Sequence, residues 1–260
     1  MDSNIITTLE IFSEEINSLL KNNLKALYVY GSAVYDDLHM GYSDLDFLAI
    51  ISDELNEEIS SKLREYRHII KTSNNPYYKM LEGEFISYKA LTNPIESNSI
   101  SWGGSGERLN SNYEISGFSL KGLIDNGVLV YGEDIKKQLP YPTDEIILAQ
   151  IDNLINTIRI HAVSTSDDVH SVDWLFLICQ SIYWLKTKEI TCKTKATQWV
   201  IDKCNFDFNS TLLRALSLRH TPELVNQADI KQWLLNLGNI IQKACNILDT
   251  IKDIQFQKQS

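Results

Sequence analysis

The stretch Tyr28–Ile50, YVYGSAVYDDLHMGYSDLDFLAI, decides how the rest of the chain is read. A β-rich run, Leu24–Tyr30, ends in Gly31-Ser32; a polar loop follows, and Asp44-x-Asp46 opens a second apolar run, Asp44–Ile51. Strand residues two apart project from the same face, so both carboxylates are predicted on one open surface, with Leu45, Phe47 and Ala49 in the core. A one-residue slip would bury an acid, which specifies the register. Gly31 permits a sharp turn and a close backbone approach to an anion. Ser32 adds a hydroxyl, and the N–H groups after it can open a short helix that favours anions.

This pattern suits phosphoryl or nucleotidyl transfer. Two divalent ions roughly 3.5–4 Å apart can neutralise a triphosphate and hold the reacting oxygens in line. Magnesium takes hard oxygen donors, usually one or two carboxylates plus phosphates. A third acid is needed to activate the attacking hydroxyl. A third strand, Lys79–Tyr88 (KMLEGEFISY), offers Glu82 and Glu84 on one face, with Glu82 the first choice and Glu84 the reserve. The plainer readings are a strand cap for Asp44 and solvated surface charges for the others.

Outward from this motif, Ile5, Leu9, Phe12, Ile16 and Leu19 predict a helix before the first strand. Ser52-Asp53 reads as the cap of a second, carrying Leu55, Ile59, Leu63, Tyr66 and Ile70. The polar segment Asn93–Asn112, with Gly103-Gly104-Ser105-Gly106, reads as a loop, and Val128–Tyr131 as a last short strand. Asp134–Thr143, with Pro140 and Pro142, is the linker candidate, and helices follow. Thr143 caps one with Ile147, Ile151, Leu154 and Ile158 on a face. Trp174–Leu185 is apolar nearly all round, as in the centre of a bundle. A single long final helix is read through Ile230, Trp233, Leu237, Ile241, Ala244, Leu248 and Ile251. The expected fold class is α/β plus all-α: a small mixed-sheet domain, residues 1–135, followed by a helical bundle, residues 140–260.

Composition narrows the function. The chain of 260 residues is 43% hydrophobic and 22% charged, as in ordinary globular proteins. Its net charge of −10 repels nucleic acid and attracts a cationic small molecule. Cys179, Cys192, Cys204 and Cys245 form no C-x-x-C pair and read as reduced thiols. Without a basic leader or an apolar run of about 20 residues, a cytoplasmic location is expected, with no membrane partner.

The residues LYVYGSAV, YSDLDFLAI and the LEG-x-F-I strand resemble the DNA polymerase β-like nucleotidyltransferases. With IYWLKTKEITCKTKATQW in the helical half, the whole chain resembles the aminoglycoside adenylyltransferases that modify streptomycin or spectinomycin. The resemblance implies Mg²⁺ on Asp44 and Asp46, Glu82 as base and further metal ligand, and ATP phosphates on Gly31-Ser32. It also implies a cleft between the domains, with Lys193, and Lys195 as neighbour, reaching the triphosphate; a monomer is expected. Asp167, Asp168, His170 and Asp173 fall where relatives bind the drug, and Trp102 could stack on it; the plainer readings are N-caps for the acids, a surface histidine and a core tryptophan. Members acting on both drugs carry a tryptophan shortly before this helix start; Arg159–Asp168 has none, which favours spectinomycin. The rivals are the same chemistry on a lincosamide, metabolite or protein, and a non-catalytic nucleotide-binding module.

Overall fold

Asp2 starts the first helix, α1 (Ser3–Leu19), by accepting a hydrogen bond from the Asn4 N–H at 2.7 Å. The computed structural model describes residues 1–52, 55–92, 98–103, 106–111 and 115–257, with the side chains at 90, 92, 98, 109–111 and 256–257 left aside. After α1 come β1 (Leu24–Val29), a 3-10 turn over Gly31–Tyr35, and β2 (Leu45–Ile51). The next elements are α2 (Glu57–Lys71), α3 (Pro76–Met80), β3 (Leu81–Ser87) and α4 (Tyr88–Thr92). β4 (Asn98–Gly103), β5 (Gly106–Ser111), α5 (Gly117–Asn126) and β6 (Val128–Gly132) follow.

The six strands form one mixed sheet in the order β5-β4-β3-β2-β1-β6. Among the described strands only β2 and β3 run parallel, and parallel neighbours need a crossover, here supplied by α2 and α3. Leu45, Phe47 and Ala49 enter a core with Leu9, Phe12 and Ile16 of α1 and Leu63 and Ile70 of α2. Each of these leucines, isoleucines and phenylalanines contributes about 1.5–3 kcal/mol by leaving water. The opposite face is not open along its length, as the alternation had suggested. Leu48, Ile50, Ile86, Ala26 and Tyr28 lie in a second core with Leu120 and Leu123 of α5. Only the start of β2 and β3 keeps acids on that face.

Two local expectations are corrected. α2 starts at Asn56, whose side chain accepts the Ile59 N–H at 2.9 Å, and not at Ser52-Asp53; Asp53 is outside the described residues. Leu55 is buried just before the cap, so the chain reaches the core first and turns helical afterwards. The segment read as a loop holds the β4–β5 pair; Gly104 and Ser105 within it are outside the described residues. Its polar composition conceals a two-residue period: Ile100 and Trp102 are buried, while Ser101 between them donates to Glu84 at 2.6 Å.

Trp102 is only 1% exposed. Its ring meets Phe85 edge-on at 4.9 Å and Phe47 at 5.7 Å, with the Arg67 guanidinium 5.6 Å away. It is a core residue, as the plainer reading of the sequence had it, and the alternative that it stacks on a substrate is set aside by its burial. Arg67, itself buried, donates to Gly103 O at 2.7 Å and Glu107 at 3.1 Å, tying α2 to the β4–β5 pair.

The chain divides into two units, residues 1–38 with 43–142, and residues 39–42 with 143–260. The second unit is helical: α6 (Asp144–His161), α7 (Asp173–Thr187), α8 (Lys193–Lys203), α9 (Asn209–His220), α10 (Ala228–Leu234) and α11 (Gly238–Gln257). Thr143 caps α6, and Asp144 and Glu145 complement its dipole. α7 packs on α8 and α11 and buries Leu175, Phe176, Ile178, Ile182, Trp184 and Leu185. The single final helix expected from the periodicity is broken between α10 and α11. Gly238 opens α11 where a Cβ would lie 2.1 Å from Val163 O, so only glycine allows that approach. All four cysteines are free thiols, and among the described residues no helix is long and apolar enough to cross a membrane.

Replacing Trp102 by alanine should destabilise the protein by about 3–5 kcal/mol in urea unfolding, whereas Trp102→Phe, which keeps a ring in the cluster, should cost less.

Candidate functional site

Strand pairing gathers the candidate residues of the first unit at one end of the sheet. β1 and β2 are antiparallel, with Val29 opposite Phe47, and the Tyr30 N–H continues the ladder to Asp46 O at 3.1 Å. Gly31 and Ser32 therefore leave β1 beside the start of β2. Ser32 donates its hydroxyl to Asp44 O at 3.3 Å. On the other side, the parallel register sets Asp46 directly against Glu82 and Leu48 against Glu84. Asp44 lies just outside the strand and is exposed, while Asp46 and Glu82 are half-buried.

Gly31 has φ +69°, a left-handed conformation that side chains disfavour. A Cβ there would lie 2.2 Å from the Asp46 Oδ2 atom. Glycine thus keeps clear the space in front of this carboxylate. Asp46 and Glu82 sit on strands about 4.8 Å apart, where like charges repel by roughly 3 kcal/mol at an effective dielectric of 20. A shared cation offsets that repulsion, and hard carboxylate oxygens suit a divalent ion.

Lys71, at the end of α2, was not singled out in the sequence, where a lysine in a last turn reads as a dipole complement. Its ammonium donates to Lys79 O at 2.5 Å, next to the start of β3. Burial and Arg67 lower its pKa, against the attraction of Glu82 and Asp44. Burial likewise pushes the Glu84 carboxyl up, and its hydrogen bonds with Ser101 and Ser99 pull it down. Glu84 is engaged with β4, and Glu82 is the acid that the register places against Asp46.

A second cluster lies within the helical unit. Asp173, the first residue of α7, accepts hydrogen bonds on Oδ1 from the Tyr42 hydroxyl at 2.9 Å and the Lys193 ammonium at 2.7 Å. His170 Nδ1 lies 2.9 Å from its Oδ2. Burial opposes the charge of Asp173, but the His170 hydrogen bond and the Lys193 ammonium outweigh it and hold the carboxyl at about 2. The hydrogen bond to Asp173 raises His170 above its ordinary value; burial opposes this, Asp168 adds to it, and Lys193 opposes it. Arg219 is 2% exposed, stacks 5.0 Å from the Tyr42 ring, and donates from Nε to Thr194 Oγ1 at 3.3 Å. Asp168 caps the turn Val169–Val172 by accepting the His170 N–H at 2.7 Å. Asp167 and Lys195 are exposed.

Residues 9–89 match the family described as "Nucleotidyltransferase domain". The matched span contains Gly31, Ser32, Asp44, Asp46 and Glu82, and the match supports a transferase. Among curated protein sequences none matches this chain. Among solved structures, the chain is similar to a spectinomycin adenyltransferase, AAD(9), from Enterococcus faecialis, determined with ATP and spectinomycin. The similarity has a TM-score of 0.62 at 19% identity and covers 94% of this chain and 98% of that one. The two-part fold, a nucleotidyltransferase sheet followed by helices, is therefore shared, as the sequence resemblance implied.

The nucleotidyltransferase domain thus brings Gly31, Ser32, Asp44, Asp46 and Glu82 together, and the helical unit brings Lys193, His170 and Asp173 together. Trp102 joins neither group. Tyr42 and Arg219 were missed in the sequence: a tyrosine in a polar loop and an arginine in a helix carry no local sign of a shared partner.

Two outcomes follow. Gly31→Ala, forced into a left-handed backbone against Asp46, should lose about 1–3 kcal/mol of stability and bind divalent cation more weakly, as read by calorimetry. Because the folded pKa of His170 is raised, its pairing stabilises below the ordinary value of 6.5 and the benefit fades as pH rises through the folded value. The melting-temperature gap between wild type and His170→Gln should be widest below about pH 6.5 and shrink as pH rises above it.

Proposed function

We propose that the protein transfers AMP from Mg·ATP to a hydroxyl of a cationic aminocyclitol antibiotic, with spectinomycin favoured over streptomycin. The observation that carries the reaction class is the register of Asp46 beside Glu82, with Gly31 packed closely against the Asp46 carboxylate where no side chain fits. Asp44, Asp46 and Glu82 would hold Mg²⁺, which when bound neutralises the phosphates and polarises the α-phosphoryl group. Gly31 and Ser32 bind and orient the phosphates through backbone N–H groups and the hydroxyl. Glu82 takes the proton of the acceptor hydroxyl as its oxygen bonds to the α-phosphorus. The bond to the bridging oxygen breaks, and pyrophosphate leaves. Lys193, opening α8, donates to the triphosphate.

The acceptor rests on other support. The sequence resembles the aminoglycoside adenylyltransferases, the similar fold was determined with ATP and spectinomycin, and the net charge of −10 favours a cation. Exposed Asp167 and Asp168 remain candidates for its ammonium groups.

The test is incubation of the purified protein with Mg·ATP and either drug, followed by pyrophosphate release and product mass. An AMP-sized gain on spectinomycin alone is expected; no gain on either drug would sink the acceptor assignment. Asp46→Asn should abolish turnover while the protein stays folded by circular dichroism. Glu82→Gln should lower the transfer rate by about 10²–10⁴-fold with Mg·ATP affinity largely kept, as measured by stopped assays and calorimetry.

A further inference from the structure

We propose that Asp173 is a positioning residue that fixes the Lys193 ammonium for the triphosphate, and is not a ligand for the cationic acceptor. This deepens the reading above and rests on Lys193 as a triphosphate donor.

The first argument is occupancy. A carboxylate offers about four lone-pair directions. Asp173 already receives Tyr42 and Lys193 on Oδ1 and faces His170 on Oδ2. Three of these directions are thus taken within the helical unit, and with the side chain 23% exposed one direction, on Oδ2 beside His170, is left for any further donor.

The second argument is electrostatic. Asp173 opens α7, where the helix dipole favours an anion; Lys193 opens α8, where the same dipole disfavours a cation. A lysine at that position is costly unless a neighbouring carboxylate offsets it. Once held, the lysine adds its charge to backbone N–H groups that already favour phosphate. An ammonium has three donor hydrogens, so one can stay on Asp173 while others meet a phosphate.

The third argument is rigidity. Thr194, next in sequence, receives the Arg219 Nε–H, and Arg219 packs beneath the Tyr42 ring whose hydroxyl bonds Asp173. The first two residues of α8 are therefore tied separately, and Tyr42 touches both ties. Burial and the Asp173 charge push the Tyr42 phenol up, so it remains a donor to Asp173. A lysine held in one rotamer beforehand loses less entropy on binding.

The experiment is a calorimetric titration of the full chain with Mg·ATP, without acceptor, for Lys193→Ala, Asp173→Asn and the double variant. Each single change is expected to weaken binding about tenfold, with the double variant no weaker than Lys193→Ala alone. If Lys193→Ala binds weakly but Asp173→Asn binds like wild type, or the two losses multiply, the positioning role is overturned while the Lys193 reading stands. If Lys193→Ala itself binds like wild type, that reading falls and this inference with it. With acceptor present, Asp173→Asn should raise KM for ATP and leave KM for the acceptor unchanged; the reverse pattern would assign Asp173 to the acceptor. Should Asp173→Asn fail to fold, Tyr42→Phe removes one donor to Oδ1 and must weaken Mg·ATP binding in the same direction. Unchanged binding in that variant overturns the proposal.

Discussion

The parallel pairing of β2 with β3 is the constraint on which the candidate site depends. A parallel ladder cannot be closed by a tight turn, so the chain must spend α2 and α3 returning to the same edge of the sheet. Those helices roof one core, and in doing so they fix the strand register to a single residue. Were β3 to slip by one position, Gly83 would stand beside Asp46, Glu82 would turn towards Phe47, and Phe85 would leave that core. The acid cluster thus follows from packing on the far face of the sheet: apolar residues decide where the charged ones meet.

The helical unit solves a different problem. Its polar network lies where two helices begin, and each start exposes N–H groups that no intrahelical carbonyl satisfies. Asp173 complements the field at the start of α7 and simultaneously offsets a lysine at the start of α8. Buried Arg219 would be expensive on its own, and its contacts with Thr194, Tyr42 and Phe176 distribute that cost. Removing any one partner leaves a charge with poorer company, which is why such networks are rigid.

Much of this was legible in the chain itself. β1 and β2 announce themselves because apolar residues crowd both ends of a short polar loop, and alternation then assigns the acids to one face. α6 and α7 follow from capping and from an apolar surface too wide for anything but a bundle interior. The β4–β5 pair was hidden because Ser99 and Ser101 look like loop residues, and only the position of Ile100 and Trp102 against Phe85 reveals a strand. The break before α11 was hidden because Leu234, Leu237 and Ile241 keep a helical spacing across it; the approach of Val163 O to Gly238 is a contact between residues far apart in sequence. The same holds for Tyr42, Asp173 and Arg219.

Residues 39–42 cluster with the helical unit although both chain neighbours, Leu38 and Ser43, cluster with the sheet. The sheet unit is therefore not a contiguous cassette. A truncation after Pro142 would carry these four residues along while stripping away Asp173, Phe176 and Arg219, which surround Tyr42. Recombination between relatives faces the same difficulty: a crossover near residue 142 would pair one parent's Tyr42 with another parent's α7 and α9. Exchanging helical units between relatives thus requires moving this short internal segment together with them.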